Sequence, residues 1–476
     1  MSSLLDRTAR IASDYLESLT ERAVGLPVPV AELRSALGGP LPESGTDPER
    51  VVERLASISE RGIMASSGPR FFGFVVGGTL PAALAADWLA STWDQNAGLY
   101  ILAPAASVVE EVAGQWILDL LGLPPSASFG FVTGCQQANF SALAAARHDV
   151  LEKAGWDVEA KGLFGAPEIE VVVGDEAHVT IHTALQMLGL GRDRVRKVAV
   201  DEQGRILPDA LAKTMKSIAG RPTIVCAQVG NVNSGAIDPV GPIADLCGEY
   251  DAWLHIDGAF GLWAGASPKL RPLVAGIERA DSWATDAHKW LNVPYDSGIV
   301  ICAHPSAHRA ALSTTAAYLV QTDGAERDPF EWTPEFSRRA RGFAVWAALV
   351  SLGRAGVAQL IDSGCTRARE FAERMRQHDG VEILNDVVLN QVLVRVAPPE
   401  GGDDEAIDTF TRAVITRAQA SGELWLAGTT WRGRAAIRFS VSGWSTTEAD
   451  IDRAVEALLK AAGRSVRSKR GSTAAT

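Results

Sequence analysis

Four short stretches carry residues that could share one chemistry. Lys289 lies in Asp286-Ala287-His288-Lys289-Trp290, in a segment otherwise apolar enough to be buried. A solvent-facing lysine at a strand edge is the ordinary reading; the alternative is a desolvated amine of lowered pKa that forms an imine with a carbonyl. Asp257 ends the apolar run Trp253-Leu254-His255-Ile256-Asp257, with Gly258 and Ala259 next. Such a carboxylate either caps a helix or faces a buried cation such as a pyridinium nitrogen, an attraction of about 4 kcal/mol at about 4 Å and an effective dielectric of about 20. Thr133-Gly134-Cys135-Gln136-Gln137 joins a strand pattern to an amphipathic helix pattern, so backbone N–H groups at the helix start could hold a phosphate. His178 follows another strand pattern and reads either as a packed or capping histidine or as a functional imidazole.

The elements that must position these residues alternate in type. Phe129–Thr133, Ile169–Val173, Val195–Val200, Thr223–Val229, Trp253–Asp257 and Gly298–Cys302 read as strands, separated by helical patterns. That alternation predicts an α/β fold with a mostly parallel sheet, whose ligands bind beyond the carboxyl ends of the strands. Upstream, Ile11, Ala12, Tyr15, Leu16 and Leu19 recur at helical spacing, and Asp47-Pro48 opens a second amphipathic run. This is a helical arm, expected to wrap a second subunit or the main domain. Downstream come a helical stretch at Arg338–Gly353, strands near Gln391–Val396 and Ala435–Val441, and a last helix at Thr447–Ala462. The expected division is an arm at 1–75, a large domain at 76–325 and a small α+β domain at 326–476, with a disordered tail from about 464.

The 476 residues are 47% hydrophobic and 21% charged, an ordinary globular balance. A net charge of −12 argues against nucleic acid as a partner, the one basic cluster being at the tail. Five widely spaced cysteines with no C-x-x-C pair argue against a disulfide framework or a zinc site and fit a reducing cytoplasm. Charged residues interrupt the first twenty positions, so no signal peptide is expected, and no run is expected to reach the ~18 apolar residues of a membrane span.

Taken together, the four stretches resemble pyridoxal 5′-phosphate (PLP) enzymes of fold type I, the aspartate aminotransferase-like class, and within them the group II amino-acid decarboxylases, including the aromatic-L-amino-acid and glutamate decarboxylases. The similarity runs from about Arg70 to Leu459. It implies that Lys289 bonds to the cofactor aldehyde, that Asp257 with Ala259 serves the pyridine nitrogen, and that His178 stacks on the ring. It also implies phosphate and ring contacts from Gly134, Cys135, Gln136, Asn231, Asp286 and His288. Tyr318 matches the tyrosine expected to return a proton to the substrate α-carbon, where related aldehyde synthases carry phenylalanine. Arg438 is a candidate for the substrate carboxylate or for a structural salt bridge.

Two departures stand out. Gly134-Cys135-Gln136 replaces a hydroxyl-rich phosphate turn, and Gly230-Asn231-Val232-Asn233 puts amides where threonines are common. The resemblance implies decarboxylation of an L-amino acid to its amine and carbon dioxide by a homodimer. Phe71, Phe72, Phe74, Trp93, Leu99 and Tyr100 could line an aromatic pocket and favour an aromatic substrate. The alternatives are an acidic amino acid (glutamate, aspartate or cysteine sulfinate) or decarboxylative aldehyde synthesis.

Overall fold

The computed structural model describes residues 2–313 and 326–464, so Tyr318 and the tail beyond Arg464 lie outside the described residues. The chain packs as two compact units, one of residues 77–366 with 385–391, the other of residues up to 76 with 367–384 and 392 onward. Residues 326–366 thus pack with the large unit, and the N-terminal arm packs with the C-terminal segments.

The large unit is built on seven strands: β1 (Ser128–Val132), β2 (Glu170–Gly174), β3 (Arg196–Val198), β4 (Thr223–Gln228), β5 (Trp253–Asp257), β6 (Ser282–Asp286) and β7 (Gly298–Cys302). Their order is β1-β7-β6-β5-β4-β2-β3. The run from β6 to β3 is parallel, and β7 is antiparallel to both its neighbours. Strands buried on both faces read as unbroken apolar runs, as in Ile224-Val225-Cys226-Ala227 and Ile299-Val300-Ile301-Cys302. The exception is β6, which the sequence pattern does not predict. Ser-Trp-Ala-Thr-Asp has weak β preference, but pairing on both edges with β5 and β7 buries all five residues and outweighs it.

Helix α1 (Cys135–Lys153) leaves β1 through Gly134 and buries Ala138, Ala142 and Ala144 to Ala146, small side chains that bring its axis close to the sheet. Val132, Cys135, Ala138, Ala142, Ala284 and Val300 form one apolar cluster at its start. Helix α2 (Val179–Met187) packs Ile181, Ala184 and Leu185 into a second cluster with Leu143, Ala146, Val171 and Val173.

A buried ion pair anchors β1 from the other side. Arg338 and Glu110 are almost fully buried and meet at 2.8 Å, with Arg327 at 3.4 Å on the other carboxylate oxygen. The Arg338 guanidinium also donates to the carbonyls of Ala97 and Phe131, so one side chain ties three segments of chain to the strand that leads into Gly134.

The smaller unit holds β8 (Val381–Ile383), β9 (Gln391–Val396), β10 (Ala427–Trp431) and β11 (Arg434–Ser440), in the order β10-β11-β9-β8. Its core stacks Phe439 between Phe72 at 4.1 Å and Phe371 at 3.7 Å. The arm is fastened to this unit by Arg70, which donates to the carbonyls of Thr20, Arg22 and Glu423. Asp47 caps the helix Pro48–Ser59 by accepting from the N–H groups of Glu49 and Arg50. Thr447 and Asp450 form a capping box on the last helix, Glu448–Ala461.

The helical stretch expected to end at Gly353 does break there, at a non-helical residue (φ 60), and a second helix follows at once, so that the two together span Gly342–Arg376. Counted as one segment it is long and apolar enough to cross a membrane, by length and composition, where no such run was expected, but Gly353 divides it. Val345, Ala348, Leu349, Val357, Ile361, Cys365, Phe371 and Ala372 along it are buried within the protein, which accounts for its apolar composition.

Because Glu110 would lose its main partner and two buried carbonyls their donor, Arg338→Met is expected to cost about 3–5 kcal/mol in urea unfolding. A loss of about 1 kcal/mol or less would show that the pair does not anchor β1.

Candidate active site

Alternation along β5 puts His255 and Asp257 on one face, and the i, i+4 spacing of α1 puts Cys135 and Asn139 on one stripe. The structure lays these two faces together. The Cys135 thiol donates to Asp257 Oδ1 at 3.5 Å, and the Ala259 N–H donates to the same oxygen at 3.3 Å. Asp257 is 4% exposed, so its charge is shielded from water at the carboxyl end of its strand.

Asp286 ends β6 alongside. It is 1% exposed, and its two oxygens are divided between partners. Oδ1 accepts from the Cys135 backbone N–H at 2.6 Å, and Oδ2 meets Lys289 Nζ at 2.9 Å. Cys135 therefore bridges the two carboxylates through its backbone and its thiol, which brings Lys289, Asp286 and Asp257 into one cluster. The Lys289 side chain as a whole retains 21% exposure.

Burial alone would weaken the charge on Lys289, but the Asp286 carboxylate, with further help from Asp257, raises its pKa above the ordinary lysine value. The amine of lowered pKa expected from the sequence is corrected on this point: the counter-charge outweighs desolvation. The Cys135 thiol is pushed well up by burial and by the two neighbouring carboxylates, so it stays protonated. His288 accepts the Ser297 N–H on Nδ1 at 3.1 Å, stacks on Tyr295 at 4.2 Å, and is lowered by burial.

The turn at Gly134 is a cradle that a side chain would fill. A Cβ on Gly298 would lie 2.4 to 2.8 Å from the backbone of Gly134, and one on Gly134 would meet His288 Cε1 at 3.2 Å. Helix α1 has no side-chain cap, so the N–H groups of Gln136 and Gln137 in its first turn have no intrahelical or capping acceptor. Ser297 Oγ, next to Gly298, is buried with no hydrogen-bond partner among the described residues. A phosphate fits this cradle through backbone N–H groups and that hydroxyl, a pyridine nitrogen fits Asp257, and an aldehyde fits Lys289. The residues present thus suit PLP.

Other expected site residues fall differently. His178 caps α2, with Nδ1 facing the Thr180 N–H at 3.4 Å and the Thr180 hydroxyl at 2.8 Å. The Asn231 amide is committed to its own turn: Oδ1 accepts from Asn233 and Ser234, and Nδ2 donates to Gln228 and the Glu176 carbonyl. It supports the loop instead of offering a free amide. The Gln136 side chain is exposed. Phe72 is 0% exposed in the core of the smaller unit, so it packs and does not line a substrate pocket as expected. Phe74 is 55% exposed, at φ 55, and stacks on Trp425. Leu99 is half-buried in the large unit. Arg438, in the smaller unit, is lowered by burial, and its buried Nε has no partner among the described residues. Sequence reasoning missed Asn139, Thr180, His255, Ser282 and Ser297; the spacing that pairs His255 with Asp257 and Asn139 with Cys135 was the available signal.

An amine held protonated by a counter-charge reacts with aldehydes only as it loses its proton. Attachment of a simple aldehyde to Lys289 of the cofactor-free protein is therefore expected to speed up as pH rises through the alkaline range. In Asp286→Asn the missing counter-charge should move that rise to lower pH, read by reductive trapping and peptide mass; an unchanged profile would show that Asp286 does not set the amine.

Residues 32–397 match the model of the pyridoxal-dependent decarboxylase conserved domain. An aromatic-L-amino-acid decarboxylase of Bacillus atrophaeus is 29% identical over 442 residues, covering 91% of this chain and 90% of that protein. An acidic amino acid decarboxylase of Bos taurus is 28% identical over 382 residues, 78% of this chain and 71% of that protein. The crystal structure of Oryza sativa TDC with PLP and tryptamine superposes with a TM-score of 0.91 at 26% identity, covering 97% of each chain. With the cradle, the carboxylate pair and the shielded lysine in place, the chain belongs to the family of pyridoxal-dependent decarboxylases.

Proposed function

We propose that this protein removes the α-carboxylate of an aromatic L-amino acid, releasing the amine and carbon dioxide. The observation that carries the chemistry is the Lys289, Asp286 and Asp257 cluster joined through Cys135. Bound PLP supplies an aldehyde carbon for amines and a ring that takes up electrons. Lys289 offers the nitrogen that holds it, and Asp257 keeps a proton on the ring nitrogen. The N–H groups of Gln136 and Gln137 hold the phosphate, and His178 presents its imidazole at the start of α2. The resemblance assigns Tyr318 the proton that returns to the substrate α-carbon, and Arg438 an anionic group of the substrate. The lone buried Nε of Arg438 supports the second assignment.

The aromatic substrate is supported by Phe74, exposed beside Trp425, and by the relative from Bacillus atrophaeus. A homodimer is supported by the apolar residues Leu5, Leu16, Val30, Leu37, Val51 and Leu55, exposed on the arm of a single chain. Five free, buried thiols fit a cytoplasmic setting.

A panel of amino acids assayed for carbon dioxide should show turnover with aromatic substrates, and turnover confined to glutamate, aspartate or cysteine sulfinate would overturn the substrate assignment. Hydrogen peroxide and ammonia formed in step with substrate loss would favour aldehyde synthesis instead. Lys289→Ala is expected to purify without the visible absorbance of lysine-bound PLP and to lose turnover by at least about 1000-fold; retention of both would refute the role of Lys289.

A further inference from the structure

Behind His178 runs a file of polar side chains that the reaction described above does not use. Trp253 Nε1 donates to Ser282 Oγ at 2.9 Å, and Ser282 Oγ lies 2.9 Å from His255 Nδ1. His255 Nε2 is 2.9 Å from Asn139 Oδ1, and Asn139 Nδ2 is 3.3 Å from Thr180 Oγ1. Thr180 Oγ1 in turn lies 2.8 Å from His178 Nδ1. His255, Ser282 and Asn139 are 0% exposed, while Thr180 and His178 are half-buried at the other end of the file.

One direction of donation satisfies every member. An indole N–H only donates, so Ser282 Oγ accepts from Trp253, and its own hydrogen finds an acceptor in His255 Nδ1, a ring that also lies against the Ser282 backbone. Burial pushes His255 down to about 4, so its ring is neutral and carries one N–H. With Nδ1 accepting, that hydrogen sits on Nε2 and goes to the Asn139 carbonyl oxygen. The Asn139 amide then gives its hydrogen to Thr180 Oγ1, whose hydroxyl hydrogen is left for His178 Nδ1. The opposite end agrees independently. The Thr180 backbone N–H also faces His178 Nδ1, at 3.4 Å, and two donors converging on one nitrogen leave no room for a hydrogen there.

We propose that Thr180, Asn139 and His255 are positioning residues that fix His178 as its Nε2–H tautomer and hold its ring plane for the reaction. The inference rests on the reading of His178 as an active-site imidazole, but its prediction about the tautomer does not depend on which reaction the protein performs. A ring locked this way presents a hydrogen-bond donor at Nε2; the other tautomer would present a lone pair at the same point. Holding one form in advance removes the cost of reorganising it during each turnover.

The test is nitrogen NMR of histidine-labelled, PLP-loaded enzyme, with His178→Gln used to identify the His178 signals among the eight histidines. In the unaltered enzyme the His178 Nδ1 is expected to show the shift of a bare ring nitrogen and Nε2 that of an N–H. Thr180→Val removes the hydroxyl that donates to Nδ1. Asn139→Asp makes position 139 acceptor-only, so the Thr180 hydroxyl turns toward it and His178 must donate from Nδ1. Asn139→Asp is expected to shift His178 toward the Nδ1–H form, and Thr180→Val, which keeps the backbone N–H facing Nδ1, to leave a mixture of the two tautomers; both are expected to lower kcat about 10-fold or more, with KM changed by about twofold at most. Thr180→Ser, which keeps the hydroxyl, is expected to retain both the tautomer and kcat.

An Nδ1–H tautomer in the unaltered enzyme overturns the proposal. So does a fall in kcat in Thr180→Val with the tautomer unchanged, which would make the file merely structural, or a changed tautomer with kcat unaffected. Absence of decarboxylation with the Nε2–H form present would instead sink the functional reading and leave the tautomer assignment standing.

Discussion

The site depends on where the two oxygens of Asp286 go. A carboxylate that is 1% exposed must be paired, and its partners here are the first N–H of α1 and the amine of Lys289. That double attachment explains much of the neighbouring sequence. Helix α1 must begin at Cys135 for its N–H to reach Oδ1, so the turn before it has to pass β7 at a distance only glycine allows, at Gly134 and Gly298. β6 must end in aspartate three residues before the lysine, which places it between β5 and β7 despite its weak strand preference.

The same attachment shapes how an anionic cofactor meets the cradle. The Cys135 N–H is already engaged by a carboxylate, so the first turn of α1 offers a phosphate the N–H groups of Gln136 and Gln137. The Gly134-Cys135-Gln136 sequence, which lacks the hydroxyls common at this turn, is compatible with that arrangement because backbone groups do the holding. Cys135 has a second use that a serine or threonine at this position would perform differently. Its thiol, kept protonated by burial between two carboxylates, donates to Asp257 on the face where the ring nitrogen is assigned.

Much of this was legible in the residues. The parallel sheet, the strand-to-helix turn at Gly134, and the carboxylate at the end of β5 all follow from local pattern, because strands buried on both faces and their polar termini have a plain signature. The direction of the Lys289 shift was not legible, since it depends on a 2.9 Å approach to Asp286 that sequence spacing does not specify. Phe72 and Asn231 were misplaced for a related reason. An aromatic residue or an amide looks the same in sequence whether it lines a pocket or packs against Phe439, or closes its own turn. The helix that follows Gly353 was not foreseen, because Gly353 reads as a terminator and does end the first helix, after which the chain turns straight into a second one.

The claim on which the account stands is that Lys289 carries the cofactor. The direct measurement is borohydride reduction of the PLP-loaded protein followed by proteolysis and mass analysis of the pyridoxyl-bearing peptide. A single modified peptide containing Asp286-Ala287-His288-Lys289-Trp290 is expected, with the added mass on Lys289. A label on any other lysine, or PLP bound with no label at all after reduction, would contradict it.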